Sequence, residues 1–264
     1  MKTIKNGELL YLKSDKLEAP HLFTTRLGGV STDCFSSLNL SFMVGDEREA
    51  VLENMSRVAR TLSFKKEDIV CSRQAHTTVC KRVGKSERGI GVVRERFSQP
   101  ADALVTNEED VLLLVRCADC TPVLLWDSAT GAVAAIHSGW RGTLSNIIKS
   151  SIETMSAEFG TKAENIKAAV GSCISECCFE VGEDVATDFD EKGYGAYVSR
   201  KGEKPHVDLK GICVSQLCAL GVDESNIDVS EDCTKCMSNI YFSHRAQGEK
   251  RGLLAAVIGI KRKT

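Results

Sequence analysis

The chain has 264 residues, 42% hydrophobic and 27% charged, which is typical of a soluble globular protein with its own buried core. A net charge of −2 argues against the basic surface that nucleic-acid binding needs. The first residues lack the apolar segment of a signal peptide, and no apolar run is long enough to cross a bilayer. We therefore expect a cytoplasmic protein that acts on small molecules, without nucleic-acid or membrane partners.

The chain contains 12 cysteines, which would predict a disulfide framework in a short secreted protein. In a chain of this length without an export signal, most of them are expected to be reduced thiols. Cys34, Cys213 and Cys218 are expected to be small buried hydrophobic residues, because cysteine is among the most buried residue types.

The first hundred residues alternate between short strand patterns and one helix. Apolar residues recur at helical spacing over 47–62, which predicts an amphipathic helix. The segment 84–100 is charged and contains glycine, so it is predicted to be a surface loop that could serve as a lid. Strands are predicted at 3–5, 8–12, 22–25, 68–73, 78–83 and 103–105, with 68–73 and 78–83 as a pair around the junction 74–77.

A glycine pair follows the third predicted strand, in Arg26-Leu27-Gly28-Gly29-Val30-Ser31. Most Gly-Gly pairs only turn the chain. Beside an arginine, however, such a pair can let backbone amides approach an anion, so the segment is a candidate phosphate loop.

The most reactive side chains are concentrated between residues 111 and 143. The apolar runs 111–115 and 123–126 flank Cys117-Ala118-Asp119-Cys120, and a third run, 132–136, ends at His137. These runs are typical of buried strands, so Cys120 and His137 should lie at strand ends. A thiol and an imidazole held in this way suit zinc, copper or a nucleophile–base pair.

The second half is predicted to begin with a helix capped by Thr143, with an apolar face that ends near Gly160. Its N-terminus, just after 139–142, is expected to direct its dipole toward His137. Further strands are predicted at 166–170, 227–229, 240–243 and 254–260, and helices from Glu183 and over 209–220. No repeat or low-complexity linker divides the chain, so 1–264 is predicted to be a single domain.

Two C-x-x-C pairs, Cys117/Cys120 and Cys233/Cys236, raise the hypothesis of a four-thiolate zinc site. More than a hundred residues separate the pairs, so only the tertiary fold could bring them together, and the signal is weak. A thioredoxin-like role for the first pair is disfavoured because Pro122 leads into a strand and not into a helix.

Two readings of the central cluster stay open on the residues alone. Cys120 and His137 could be the nucleophile and base of a cysteine hydrolase, but this would leave His76, at an equally strand-terminal position, without a role. A metal held by His76, Cys120 and His137, with one position left for water, is the pattern of catalytic zinc and predicts about one ion per chain. Asp119 could orient a ligand or cap a turn.

Several sequence blocks are distinctive, namely TTRLGGVS (24–31), QAH (74–76), ADCTPV (118–123), HSGWRG (137–142) and 171–182, with 233–234 and 242–245 near the end. They cover nearly the whole chain. Together they resemble the signatures of the laccase-domain family, which was first described as multicopper polyphenol oxidases and is now understood as zinc-dependent purine nucleoside phosphorylases.

The resemblance implies a Zn²⁺ ion bound by His76, Cys120 and His137. It implies phosphorolysis of adenosine, inosine, guanosine and 5′-methylthioadenosine, together with adenosine deamination. The implied fold class is α+β, with two packed mixed β-sheets flanked by helices in α/β/β/α order, similar to the catalytic domains of cysteine-hydrolase toxins.

Arg26, Arg141 and Arg245 are the candidate phosphate ligands, because arginine is suited to bidentate phosphate binding, although most single arginines form surface ion pairs. The chain departs from the family pattern at four places. Cys117 replaces a usual threonine, His244 a usual tyrosine and Met55 a common arginine, and the late Gly-Arg pair is reversed as Arg251-Gly252.

Three alternatives belong to other classes of function. A Cu²⁺-dependent polyphenol oxidase would need several coppers and many histidines, whereas the chain has 5, of which His21 and His206 lie in no motif. A hydrolase that edits peptidoglycan precursors and a non-catalytic thiol-rich binding module also stay open. The sequence indicates neither the oligomeric state nor the roles of Cys117 and Cys236.

Overall fold

Two six-stranded β-sheets pack face to face, and helices cover the outer face of each. The computed structural model describes residues 1–200 and 202–261. Its strands are β1 (Lys2–Asn6), β2 (Leu9–Lys13), β3 (His21–Thr24), β4 (Ile69–Cys71), β5 (Cys80–Arg82), β6 (Ala103–Thr106), β7 (Val111–Cys117), β8 (Thr121–Asp127), β9 (Val133–Ser138), β10 (Ile166–Val170), β11 (Val198–Ser199), β12 (His206–Val207), β13 (Ile227–Val229) and β14 (Leu254–Ile260). Its α-helices are α1 (Arg48–Thr61), α2 (Trp140–Leu144), α3 (Ile147–Phe159), α4 (Glu183–Glu191), α5 (Leu209–Ala219) and α6 (His244–Gln247).

Both large sheets are mixed. The first has the order β1-β2-β3-β14-β7-β4 and the second β13-β10-β8-β9-β6-β5, while β11 and β12 form a small separate pair. Parallel pairing occurs between β4 and β7, β5 and β6, and β10 and β13, and the other ladders are antiparallel. The predicted α+β class, with two packed mixed sheets between helices, is confirmed.

Strand β7 shows why an unbroken apolar run is needed in the first sheet. Leu113 and Val115 point into the core between the two sheets, whereas Leu112 and Leu114 point toward the core beneath α1. Side chains alternate between the faces of a strand, so a strand covered on both faces must be apolar at every position. The second sheet is covered in the same way by α3 and α5.

The helix predicted over 47–62 is confirmed as α1, which buries Val51, Met55 and Val58 against the first sheet. The helix predicted to begin at Thr143 is instead divided in two. The left-handed backbone of Asn146 ends the short helix α2 and caps α3, with its side chain accepting the amide of Lys149 at 3.0 Å. Thr143 lies inside α2, so the dipole of the long helix does not begin at residues 139–142, contrary to the prediction.

Three further expectations from the sequence are wrong. Residues 240–243 form no strand, because Tyr241 and Phe242 bury their side chains from a series of turns and not from a ladder. The predicted strands at 68–73 and 78–83 exist but belong to different sheets. Cys213 is buried as expected, whereas Cys34 is half-buried and Cys218 is exposed.

Within the described part of the chain, no helix is long and apolar enough to cross a membrane.

Candidate active site

The fold brings His76, Cys120 and His137 together at one end of the second sheet. Cys120 immediately precedes β8, His137 lies near the end of the adjacent β9, and Pro122 is the residue paired with His137. His76 comes from the loop between β4 and β5, which belong to different sheets. One potential ligand atom from each of the three residues lies within 4.8 Å of the others, and the Cys120 Sγ is 3.7 Å from the His76 Nε2.

A buried aspartate at the start of β6 organises both histidines. Asp102 accepts the backbone amides of Ala75, His76 and Thr77 at 2.7 to 3.2 Å, and the Thr77 hydroxyl at 2.8 Å. Its carboxylate also lies 2.8 Å from the Nδ1 of His137. Since a carboxylate can only accept, this nitrogen must carry a proton, so Nε2 is the nitrogen of His137 that can bind a metal once its own proton is lost.

Asp102 was not singled out from the sequence. The one available signal was an acidic residue directly before the apolar segment Ala103-Leu104-Val105, where burial would demand partners for the carboxylate. Its partners come from the loop 75–77 and from β9, so they could be identified only after folding.

The thiol of Cys120 and the imidazole of His137 influence each other's ionisation. Burial raises the pKa of Cys120, but the charge and hydrogen bond of His137 outweigh burial and lower that pKa to about 6. Burial lowers the pKa of His137, but the Cys120 thiolate and Asp102 raise it to about 9. Burial also raises the pKa of Asp102, yet hydrogen bonds from His137 and Thr77 lower it to about 2. Without a metal, the group therefore holds a thiolate near neutral pH, and the thiolate is the form that binds metals.

The backbone around the group is constrained. His76 and Asp119 have φ angles of 59° and 87°, in the left-handed region that side chains other than glycine rarely adopt. The Asp119 carboxylate accepts the Thr234 hydroxyl at 2.6 Å and the Arg245 amide at 2.7 Å. Asp119 thus anchors the loop around Thr234 and the start of α6 beside Cys120, a role that differs from both of those left open by the sequence.

Gly139 is required by close packing. A Cβ atom built at Gly139 would lie 2.5 Å from the ring of His76 and 3.2 Å from the Sγ of Cys120. Because the contact under 3 Å is with the ring that forms one wall of the group, any side chain at this position must displace His76.

The group opens into a cavity of about 1240 Å³. This volume exceeds the 300–1,000 Å³ typical of a site for a single small ligand, so the cavity has room for two reactants. Its lining includes seven arginines and four acidic residues, which makes it electropositive overall. The arginines are Arg48, Arg73, Arg94, Arg96, Arg116, Arg245 and Arg251, and the acidic residues are Glu95, Asp119, Glu180 and Glu249. Residues 91–96 of the predicted surface loop form part of the wall.

The three arginines proposed from the sequence take different positions. Arg245 lines the cavity, with one guanidinium nitrogen donating to the Glu180 carbonyl at 3.0 Å. Arg26 and Arg141 are not part of the lining. The Arg26 guanidinium donates to the carbonyls of Ser36 and Ser238 and lies 4.5 Å from the centre of the Phe242 ring, and that of Arg141 lies over the Trp140 ring.

Arg251 is better placed than Arg26 or Arg141, although in the sequence it is distinguished only by the reversed Gly-Arg pair. It lines the cavity, is half-buried, and its buried Nε has no hydrogen-bond partner among the described residues. A buried guanidinium N–H without a partner is costly, and an anionic ligand would satisfy it.

Known proteins resemble the chain over most of its length. A protein of Bacteroides thetaiotaomicron named "Purine nucleoside phosphorylase" is 36% identical over 245 residues, which cover 91% of each chain. "Adenosine deaminase RL5", from an unknown prokaryotic organism, is 34% identical over 242 residues, 89% of this chain and 92% of its own. The crystal structure of YlmD from Geobacillus stearothermophilus has a TM-score of 0.89 at 31% identity, covering 98% of this chain and 99% of that one.

The resemblance inferred from the sequence blocks is therefore confirmed. These relatives share the fold and most of the length, and residues 20–261 match the family described as "Multi-copper polyphenol oxidoreductase laccase". The chain belongs to this multi-copper polyphenol oxidoreductase laccase family.

Proposed function

We propose that the protein is a zinc-dependent purine nucleoside phosphorylase that uses phosphate to cleave adenosine, inosine, guanosine and 5′-methylthioadenosine, with adenosine deamination as a second activity. The observation that carries the proposal is the position of the His76–Cys120–His137 group at the wall of a large, arginine-lined cavity. Relatives named purine nucleoside phosphorylase and adenosine deaminase support the choice of substrate.

The donor set fits zinc. Imidazole nitrogen and thiolate sulfur are both zinc ligands, and three protein ligands with a fourth position left open are the arrangement of catalytic zinc. Asp102 holds the Nδ1 proton of His137, as carboxylates do behind zinc-bound histidines. When bound, zinc would supply Lewis-acid polarisation of substrate oxygen atoms and of water.

Phosphorolysis needs an anion site beside the ribose. An oxygen of phosphate forms a bond to C1′ of the sugar while the bond from C1′ to N9 of the purine breaks, and the electron pair leaves with the base, which takes up a proton. We assign phosphate binding first to Arg251, whose Nη1 donates to the Gly248 carbonyl but whose buried Nε has no partner among the described residues, and second to Arg245, whose guanidinium donates to the Glu180 carbonyl.

The remaining walls suit a purine. Trp140 and Phe179 line the cavity and offer aromatic surface for an uncharged heterocycle. Polar contacts to the exocyclic groups of the base would come from residues such as His244, which also lines the cavity.

The test is to incubate the purified protein with inosine or methylthioadenosine, with and without phosphate, and to identify the products. The proposal expects free purine and ribose 1-phosphate, or its methylthio analogue, only when phosphate is present. Base release that ignores phosphate would indicate a hydrolase, and inosine formed from adenosine without base release would leave only the deaminase.

Two other outcomes would replace the proposal altogether. Oxidation of phenols with stoichiometric copper would support the polyphenol oxidase. Turnover of a peptidoglycan precursor, with every nucleoside left intact, would support the editing hydrolase.

A further inference from the structure

A second cluster of ionisable sulfurs lies outside the group described above. Cys177 and Cys178 follow β10, and Cys233 and Cys236 follow β13, yet their four Sγ atoms all lie within 4.8 Å of one another. The Sγ of Cys236 is 3.4 Å from that of Cys178 and 3.7 Å from that of Cys177. Four thiols from two distant segments therefore converge on one point.

The backbone holds the two segments in this position. Strands β10 and β13 are parallel neighbours, so the loops that follow them leave the sheet at the same end of the strands. Cys173 and Cys233 continue this pairing as an isolated parallel bridge, and the Thr234 amide donates to the Cys173 carbonyl at 3.0 Å. The Ser175 amide donates to the Sγ of Cys233 at 3.4 Å, as amides commonly do to metal-bound thiolates.

Two of the sulfur separations match those around a single tetrahedral ion, and all four sulfurs lie within 4.8 Å of one another. With Zn–S bonds of about 2.3 Å, tetrahedral geometry separates neighbouring sulfurs by about 3.8 Å. The separations of 3.4 and 3.7 Å are close to this value and are far longer than a disulfide bond of about 2 Å. An iron–sulfur cluster would spread its thiolates over several irons and would need a wider arrangement.

We propose that Cys177, Cys178, Cys233 and Cys236 bind one zinc ion as a closed, four-thiolate structural site. Four sulfur ligands leave no position for substrate, so this ion would stabilise the fold and would not take part in catalysis. The sequence hypothesis of a four-thiolate site is thereby changed, because the partners of Cys233 and Cys236 are not Cys117 and Cys120.

The ion would fix one side of the candidate active site. Phe179 and Glu180, which line the cavity, directly follow the first pair of ligands. Thr234, next to Cys233, donates to Asp119, the neighbour of Cys120. The four-thiolate site would thus join two loops. One carries Phe179 and Glu180 of the cavity wall, and the other carries Thr234, which holds Asp119 in place.

The experiment is to measure zinc by elemental analysis in the whole protein and in matched variants. The two-site proposal expects about two zinc ions per chain in the wild type and about one each in Cys120→Ala and in the double variant Cys177→Ser/Cys236→Ser. Cys218→Ser, which removes an exposed cysteine of α5 outside both clusters, should keep the wild-type value.

X-ray absorption at the zinc edge of Cys120→Ala gives a readout that needs neither activity nor the folding of the double variant. The proposal expects a shell of sulfur alone at about 2.3 Å. It is overturned if Cys120→Ala carries no zinc, with the four cysteines found as free thiols or disulfides by mass spectrometry, or if iron replaces zinc. Because wild-type phosphorolysis does not enter this test, failure of the proposed enzymatic activity would leave its result unchanged.

Discussion

The two cysteine-containing clusters show how the surroundings decide what a thiol does. At the first, one thiol and two imidazoles face an electropositive cavity, and a buried carboxylate fixes one imidazole from behind. At the second, four thiols held by two paired loops surround one point and leave no position open. Three protein ligands with an open fourth position next to a cavity suit a catalytic metal ion. Four protein ligands between two loops suit an ion that stabilises the fold.

The largest effect is expected from substitution of Cys120, and the nearby Cys117 provides its matched control. Cys120→Ala should lower kcat/KM for phosphorolysis by more than about 100-fold, because it removes a proposed ligand and not merely a group behind one. Cys117, buried at the end of β7, belongs to neither cluster, so Cys117→Ala should keep the zinc content of the wild type. Equal zinc loss in both variants would contradict the assignment of Cys120.

The second-largest effect is expected from substitution of Asp102, whose carboxylate contacts His137 of the first cluster. Asp102→Asn keeps the size of the side chain but weakens its acceptance from His137 and from the loop 75–77, so zinc affinity and kcat/KM should fall about 10- to 100-fold. Zinc titration and steady-state kinetics measure the two effects. Because the four-thiolate site lies on other loops, its zinc should be retained. An unchanged zinc affinity would show that Asp102 has only a structural role.

The phosphate site can be located by comparing two arginines. Arg251→Ala should raise the KM for phosphate about 10-fold, as expected for loss of a charge-assisted hydrogen bond. The earlier sequence prediction assigns the same effect to Arg26→Ala. The contacts of Arg26 with Ser36, Ser238 and Phe242 instead lead us to expect a lower thermal midpoint with little change in this KM. A raised phosphate KM in Arg26→Ala alone would restore the earlier prediction.

The smallest effect concerns the ionisation of Cys120 in protein stripped of metal. Since His137 lowers the pKa of Cys120 to about 6, alkylation of this thiol should rise with pH and reach half its maximal rate near that value. His137→Ala should move the midpoint upward toward the ordinary pKa of 9.0, because the favourable charge and hydrogen bond are lost. Peptide mapping after timed alkylation would follow Cys120 specifically, and an unshifted midpoint would remove His137 as the cause.

Local sequence patterns predicted the first cluster better than the second. The buried strands β7, β8 and β9 were readable as apolar runs, and they place Cys120 and His137 at adjacent strand ends. The four-thiolate cluster depends on the parallel pairing of β10 with β13, which no local pattern reveals. The adjacent pair Cys177-Cys178 also lacks the C-x-x-C spacing that drew attention to Cys233 and Cys236.

The same physical limit explains the other errors. Asn146 divides the predicted helix because its left-handed backbone and its capping side chain interrupt an otherwise continuous apolar face. Tyr241 and Phe242 look like part of a strand because they are apolar, but they reach the core from turns. Asp102 gains its significance only from its partners in the folded chain, and Arg251 from an Nε without a partner among the described residues.

The central claim is that zinc at the His76–Cys120–His137 group is required for phosphate-dependent cleavage of purine nucleosides. The most direct measurement is phosphorolysis of inosine by protein treated with a mild chelator and then given zinc in steps. Because the four-thiolate site is closed, we expect the first cluster to lose its ion first, and about one equivalent of zinc should restore ribose 1-phosphate formation. Full phosphorolysis by the metal-depleted protein, or none after zinc is restored, would contradict the claim.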